Sequence, residues 1–143
     1  VKGKAPPYSP HRHDPHTGDN IGIQVIDTMT NKTLFYSPGL GEPTEDTINL
    51  MSQSDCLLVD GTFWEEGEMS KVGLGDKKAA DMGHLPQSGD EGMIELLRPM
   101  DKPRKVLIHI NNTNPILDED STERRTLDKE GIEVSFDGME LEL

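Results

Sequence analysis

Two short apolar runs constrain this chain more than any other feature. Cys56-Leu57-Leu58-Val59 and Val106-Leu107-Ile108-His109-Ile110 have the continuous hydrophobicity of strands buried on both faces. Strands of that kind sit in parallel sheets covered by helices, and the surrounding sequence supplies the helices. Thr44 is placed to cap a helix to about residue 53, a second helix is predicted around residues 93–97, and Ser121 caps a third that Gly131 ends near residue 130. Residues 21–27 and 33–37 are rich in β-branched and aromatic side chains and turn over Met29-Thr30-Asn31-Lys32, which predicts a hairpin. A closing hairpin is predicted for residues 132–136 and 139–143, over the turn dipeptide Asp137-Gly138. The resulting order, β-β-α-β-α-β-α-β-β, indicates an α/β layered domain over residues 21–143. Residues 1–20, with Pro6, Pro7, Pro10 and Pro15, read as a linker, and the Gly-dotted stretch 65–92 as flexible.

Composition narrows the possible partners. The net charge is −13, so the chain repels phosphate backbones and anionic membrane surfaces. The densest basic clusters are only the pairs Lys77, Lys78 and Arg124, Arg125. No apolar run approaches the roughly 20 residues that span a bilayer, and the first residues offer nothing like a signal peptide. A cytoplasmic location is expected. The chain begins at Val1 rather than Met and is only 32% hydrophobic, both of which suit part of a longer protein. Its one cysteine, Cys56, lies inside an apolar run and reads as a buried core residue.

Chemistry-bearing residues gather where the two buried runs end. The first leads into Asp60-Gly61-Thr62-Phe63-Trp64, the second into His109-Ile110-Asn111-Asn112-Thr113-Asn114-Pro115. Loops leaving strand ends are where layered α/β folds build their sites. On spacing alone His109 reads as a core histidine sooner than as a metal ligand, and Asp60 as a ligand, a base or a turn cap. His84, in Met82-Gly83-His84-Leu85-Pro86-Gln87-Ser88-Gly89, reads as a surface or hinge histidine. Asn111, Asn112 and Asn114 form an amide cluster suited to polar substrate groups or to turns. His11-Arg12-His13-Asp14-Pro15-His16 approaches the His-x-His-x-Asp-His metal motif, but its Asp stands one position early and no strand precedes it. It is read as a solvated loop.

Together, several blocks resemble the coenzyme PQQ synthesis protein B family, which has the metallo-β-lactamase fold. They are Ala5-Pro6-Pro7-Tyr8-Ser9-Pro10-His11, Leu34-Phe35-Tyr36-Ser37-Pro38-Gly39-Leu40-Gly41, Asp55 through Trp64, Met82 through Gly89, and Lys105 through Asp120. The resemblance implies that the chain is the C-terminal half of an αββα sandwich, without the first-half metal motif. It implies that His109 is a metal ligand whose companions come mainly from the other half. Asp60 and His84 then become candidate catalytic residues, and Asn111, Asn112 and Asn114 candidate substrate contacts. A bridging carboxylate that relatives carry after a hairpin strand is missing from Tyr36-Ser37-Pro38-Gly39-Leu40, which speaks against a two-metal hydrolase.

The function implied is pyrroloquinoline quinone biosynthesis, by iron-dependent hydroxylation of the tyrosine-derived ring of a Glu–Tyr precursor. Fe(II) is the expected metal, with zinc as its rival. The competing reading is a non-catalytic carrier that helps to move the quinone or its precursor to the periplasm. The small-molecule precursor is the expected partner, and a second copy of the chain a candidate one.

Overall fold

The computed structural model describes residues 4–6 and 8–143; the linker reading of residues 1–3 and 7 lies outside them. A single mixed sheet carries five strands in chain order: β1 (Ile23–Ile26), β2 (Thr33–Ser37), β3 (Cys56–Asp60), β4 (Arg104–Ile108) and β5 (Ile132–Val134). β1 and β2 form the expected antiparallel hairpin, and β2 to β5 run parallel to one another. Parallel neighbours need crossovers. These are supplied by α1 (Glu45–Gln53), by α2 (Glu68–Lys71) with α3 (Met93–Leu97), and by α4 (Thr122–Lys129).

Local chemistry explains the helix boundaries. Thr44 Oγ1 accepts from the Thr47 N–H at 3.3 Å, and Ser121 Oγ accepts from the Arg124 N–H at 2.9 Å. Each cap satisfies an amide that the first helical turn leaves without a partner, a contribution of about 1 kcal/mol. Glu45 and Asp46 add negative charge at the positive end of α1.

Alternation along the strands divides the apolar residues between two faces. Phe35, Leu57, Val59, Leu107, Ile132 and Val134 pack on Met51, Met93, Leu97 and Leu127 from the helices. Full burial of each large side chain contributes about 1.5–3 kcal/mol. Tyr36, Leu58 and Val106 stand side by side on the other face, where Tyr36 is exposed and Leu58 half-buried. Asp60 ends β3 on this second face, in register with Ile108. Cys56 is buried there too, and burial pushes its thiol pKa up, in keeping with an inert core cysteine.

Two expectations are revised. The Asp137-Gly138 turn forms, with Gly138 at φ +86° and the Met139 N–H donating to Phe136 O at 3.1 Å. Residues 139–143, however, make no strand. Phe136 is 68% exposed and Leu143 43% exposed, so a returning strand would gain edge hydrogen bonds but bury no apolar face. The stretch 65–92 is also more structured than its glycines suggest. It holds α2, the 3₁₀ turn Ala80–Met82, and the buried residues Glu68, Ala79, His84 and Gln87.

Candidate metal centre

β3 and β4 are adjacent and parallel, so their carboxyl ends deliver Asp60 and His109 to one place. His109 lies just beyond β4 in the left-handed backbone region, at φ +57°. That conformation is uncommon for a residue with a side chain, and two contacts favour it. Thr62 Oγ1 lies 3.0 Å from His109 O, and the Gly61 N–H donates to Ile108 O at 2.7 Å. Gly61 is required for this closeness, because a Cβ there would stand 2.9 Å from both Ile108 O and Leu107 Cβ.

His84 arrives from a different direction, and it is buried rather than the surface residue its loop suggested. The 3₁₀ turn ends at Gly83 in the left-handed region, φ +78°, which turns the chain inward. The His84 N–H then donates to Ala79 O at 3.0 Å, and the Leu85 N–H to Leu40 O at 3.0 Å. The ring stands edge-on to Phe63 and is stacked on His109, with centroids 5.3 Å apart and planes at 19°.

Asp60, His84 and His109 thereby form one group whose donor atoms all lie within 4.8 Å of one another. Asp60 is fully buried and His84 nearly so, while His109 is exposed. Asp60 Oδ2 accepts from the Leu40 N–H at 2.8 Å and lies 2.7 Å from His84 Nδ1. Its Oδ1 accepts from the Thr62 N–H at 3.0 Å and from the Thr62 hydroxyl at 2.5 Å. Gln87 Nε2 donates to the Asp60 carbonyl at 2.9 Å. These contacts hold the carboxylate in one orientation, as sites that place metal ligands do.

One carboxylate and two imidazoles are a sound donor set for zinc or iron. Two ligands on one ion, each about 2.1 Å from it, lie at most about 4.2 Å apart, so the observed spacing needs little adjustment. Three candidate donors of this chain converge here. The site's carboxylate comes from the end of β3 and not from the Tyr36-to-Leu40 loop, which instead lies over it through the Leu40 N–H.

The asparagines stand behind the cluster. Asn114 is buried, donates to Gly61 O at 2.9 Å and Thr62 O at 3.3 Å, and accepts from the Ile116 N–H. Asn111 accepts no such burden; its N–H donates to Thr62 O at 3.1 Å and its amide to Thr113 Oγ1 at 2.6 Å, while Asn112 is exposed. Glu68 ties the same loops together, accepting from the Trp64 N–H and the Thr113 hydroxyl. His11, His13 and His16 lie in an exposed loop outside the cluster. Sequence reasoning missed Thr62, although its place two residues past a strand-ending Asp was a signal. It also missed Gln87 and Glu68, for which there was none.

The family model for the β-lactamase superfamily domain matches residues 1–110. The chain belongs to this superfamily. Over 141 residues it is 57% identical to coenzyme PQQ synthesis protein B of Nitrosococcus oceani, covering 99% of this chain and 46% of that protein. The protein of the same name from Methylococcus capsulatus is 59% identical over 143 residues, 100% of this chain and 47% of that one. The chain thus spans about half the length of these relatives. The crystal structure of Zn²⁺-bound PqqB from Methylobacterium extorquens superposes with a TM-score of 0.81 at 39% identity, over 85% of this chain and 43% of that one. The sheet and helices described above are accordingly half of a metallo-β-lactamase-like α/β fold.

Proposed function

We propose that this chain serves pyrroloquinoline quinone biosynthesis as the metal-holding part of an enzyme that hydroxylates the tyrosine-derived ring of a Glu–Tyr precursor. The observation that carries this reading is the Asp60–His84–His109 cluster, in a chain so similar to coenzyme PQQ synthesis protein B. A carboxylate with two histidines suits Fe(II) and O₂, and suits zinc as well. When bound, the metal supplies Lewis acidity, and as iron it also supplies oxygen chemistry. Insertion of an oxygen atom into a ring C–H bond consumes O₂ with a pair of electrons and a pair of protons, and releases water. The reaction therefore calls for a reductant as well as oxygen.

The chain's own residues bind and orient. Asp60, His84 and His109 would hold the ion, and His109, being exposed, marks the side from which substrate approaches. A small pocket of about 130 Å³ lined by Asn20, Ile21, Pro38, Gly39 and His109 opens there. It shares Asn20 and Ile21 with a cavity of about 570 Å³ that Lys4, His16 and Thr44 also line. Lys4 and His16 suit the carboxylates of an amino-acid-derived precursor, while Phe63 shields the inner side of His84.

The test is metal content and oxygen-dependent product formation by the full-length protein, wild type against His109→Ala. Loss of both in the variant is the expected result. Unchanged metal binding by the variant would refute the ligand assignment. Saturable binding of the finished quinone, with no turnover by a metal-loaded wild type, would favour a carrier instead.

A further inference from the structure

We infer that Gly41 is a positioning residue of this centre. Because it has no side chain, the backbone at Leu40 and Gly41 can lie against Gly83, and that contact sets where His84 stands relative to Asp60. The consequence for metal affinity rests on the reading of Asp60, His84 and His109 as a metal site, whereas the contact itself does not. A Cβ on residue 41 would stand 2.6 Å from Gly83 O, 2.7 Å from Gly83 C and 3.1 Å from Gly83 Cα. All three are backbone atoms, so no change of rotamer relieves the clash. Leu40, the residue just before, is used on both sides. Its N–H donates to Asp60 Oδ2 at 2.8 Å, and its carbonyl accepts from the Leu85 N–H at 3.0 Å. One residue thus holds the carboxylate with its amide, and with its carbonyl the strap of residues 83–85 that carries His84.

Burial decides which side yields to an added methyl group. Leu40 is fully buried and packs in the main apolar core with Phe35 and Met51. Across the contact, Gly83 closes the 3₁₀ turn Ala80–Met82, in which Ala80 and Asp81 are exposed. A single 3₁₀ turn is weakly held by its own hydrogen bonds. Moving Leu40 would open the core and break a bond to a buried carboxylate. Moving Gly83 displaces only an exposed turn. The strap is therefore the side that moves, taking His84 Nδ1 away from its place 2.7 Å from Asp60 Oδ2. The bond from the Leu85 N–H to Leu40 O is lost with it.

In the full-length protein, Gly41→Ala is expected to weaken Zn²⁺ affinity by about 10- to 100-fold, the usual effect of disturbing what orients a ligand. A second variant, His84→Ala, separates positioning from a general loss of structure. If Gly41 acts through His84, adding Gly41→Ala to His84→Ala changes affinity by no more than about twofold, the margin within which independent sites add. The same loss in both backgrounds would overturn the inference, and so would wild-type affinity in Gly41→Ala. Amide hydrogen exchange of the metal-free protein reads the contact itself. The Leu40 and Leu85 amides should both be protected in wild type, and in Gly41→Ala only Leu85 should lose protection. Exchange of the wild-type Leu85 amide at the rate of an open loop would refute the inference even if Gly41→Ala does not fold. If His84→Ala binds Zn²⁺ as wild type does, the metal reading of His84 fails by itself, and the exchange rates still decide whether Gly41 holds the strap.

Discussion

Replacing Asp60 by Asn tests the centre at its most connected point. The two side chains have the same shape, so the change alters hydrogen bonding and charge without opening a cavity. In the native site Oδ2 faces the Leu40 N–H and His84 Nδ1, while Oδ1 faces the Thr62 N–H and the Thr62 hydroxyl. Asparagine must put its NH₂ on one side or the other. On the first side it confronts the Leu40 amide, which cannot become an acceptor, although His84 can switch tautomer. On the second side it confronts the Thr62 amide, and the Thr62 hydroxyl loses the oxygen it donates to. Either orientation orphans one backbone N–H in a buried site, at about 1–3 kcal/mol, and weakens charge-assisted bonds to the neutral amide that remains. Relief from burying a carboxylate works the other way, leaving a net loss of about 2–4 kcal/mol. Urea unfolding of the metal-free full-length protein would measure it as a lower midpoint with an unchanged slope. A loss below about 0.5 kcal/mol, within the range of an ordinary surface change, would refute the claim that these four contacts hold the carboxylate.

Two further predictions test how the scaffold supports the site. Gly61→Ala would bring a Cβ to 2.9 Å from Ile108 O and Leu107 Cβ and 3.2 Å from Ile110 Cγ1; the expected cost is about 1–3 kcal/mol, with weaker Zn²⁺ binding as the β3 and β4 ends part, and a titration matching wild type would contradict it. At Asp55, hydrogen bonds from the Thr33 N–H and hydroxyl, with Lys102 and Lys32 nearby, hold the carboxyl below its ordinary pKa. A depressed folded-state pKa contributes stability that is present above the unfolded value, near pH 4, and is lost as pH falls through the lower one. Asp55→Asn should therefore flatten the stability curve below about pH 4, and an acid limb identical to wild type would count against the assignment.

How much of the site was legible depends on how far apart in sequence its partners lie. β3 and β4 announced themselves because neither Leu57-Leu58-Val59 nor Val106-Leu107-Ile108 contains a polar residue, although the face that carries Leu58 is only partly covered. Once those strands are neighbours, the register that sets Asp60 against Ile108 brings Asp60 beside His109 without further help. His84 had no such signal, since it belongs to no regular element. Its place depends on Leu85 bonding Leu40, and on Leu40 bonding Asp60 across 20 residues. Thr62 was equally hidden, because a hydroxyl is ordinary after a strand until the tertiary fold brings two imidazoles onto it. The failed C-terminal strand teaches the converse. Asp137-Gly138 is sufficient for a turn, yet a turn cannot recruit a strand when nothing waits to cover Phe136 and Leu143. Local chemistry thus settled the strand ends that carry Asp60 and His109. Long-range hydrogen bonds settled what meets them there, and the Asp60–Thr62–His109 chain is where the two kinds of information join.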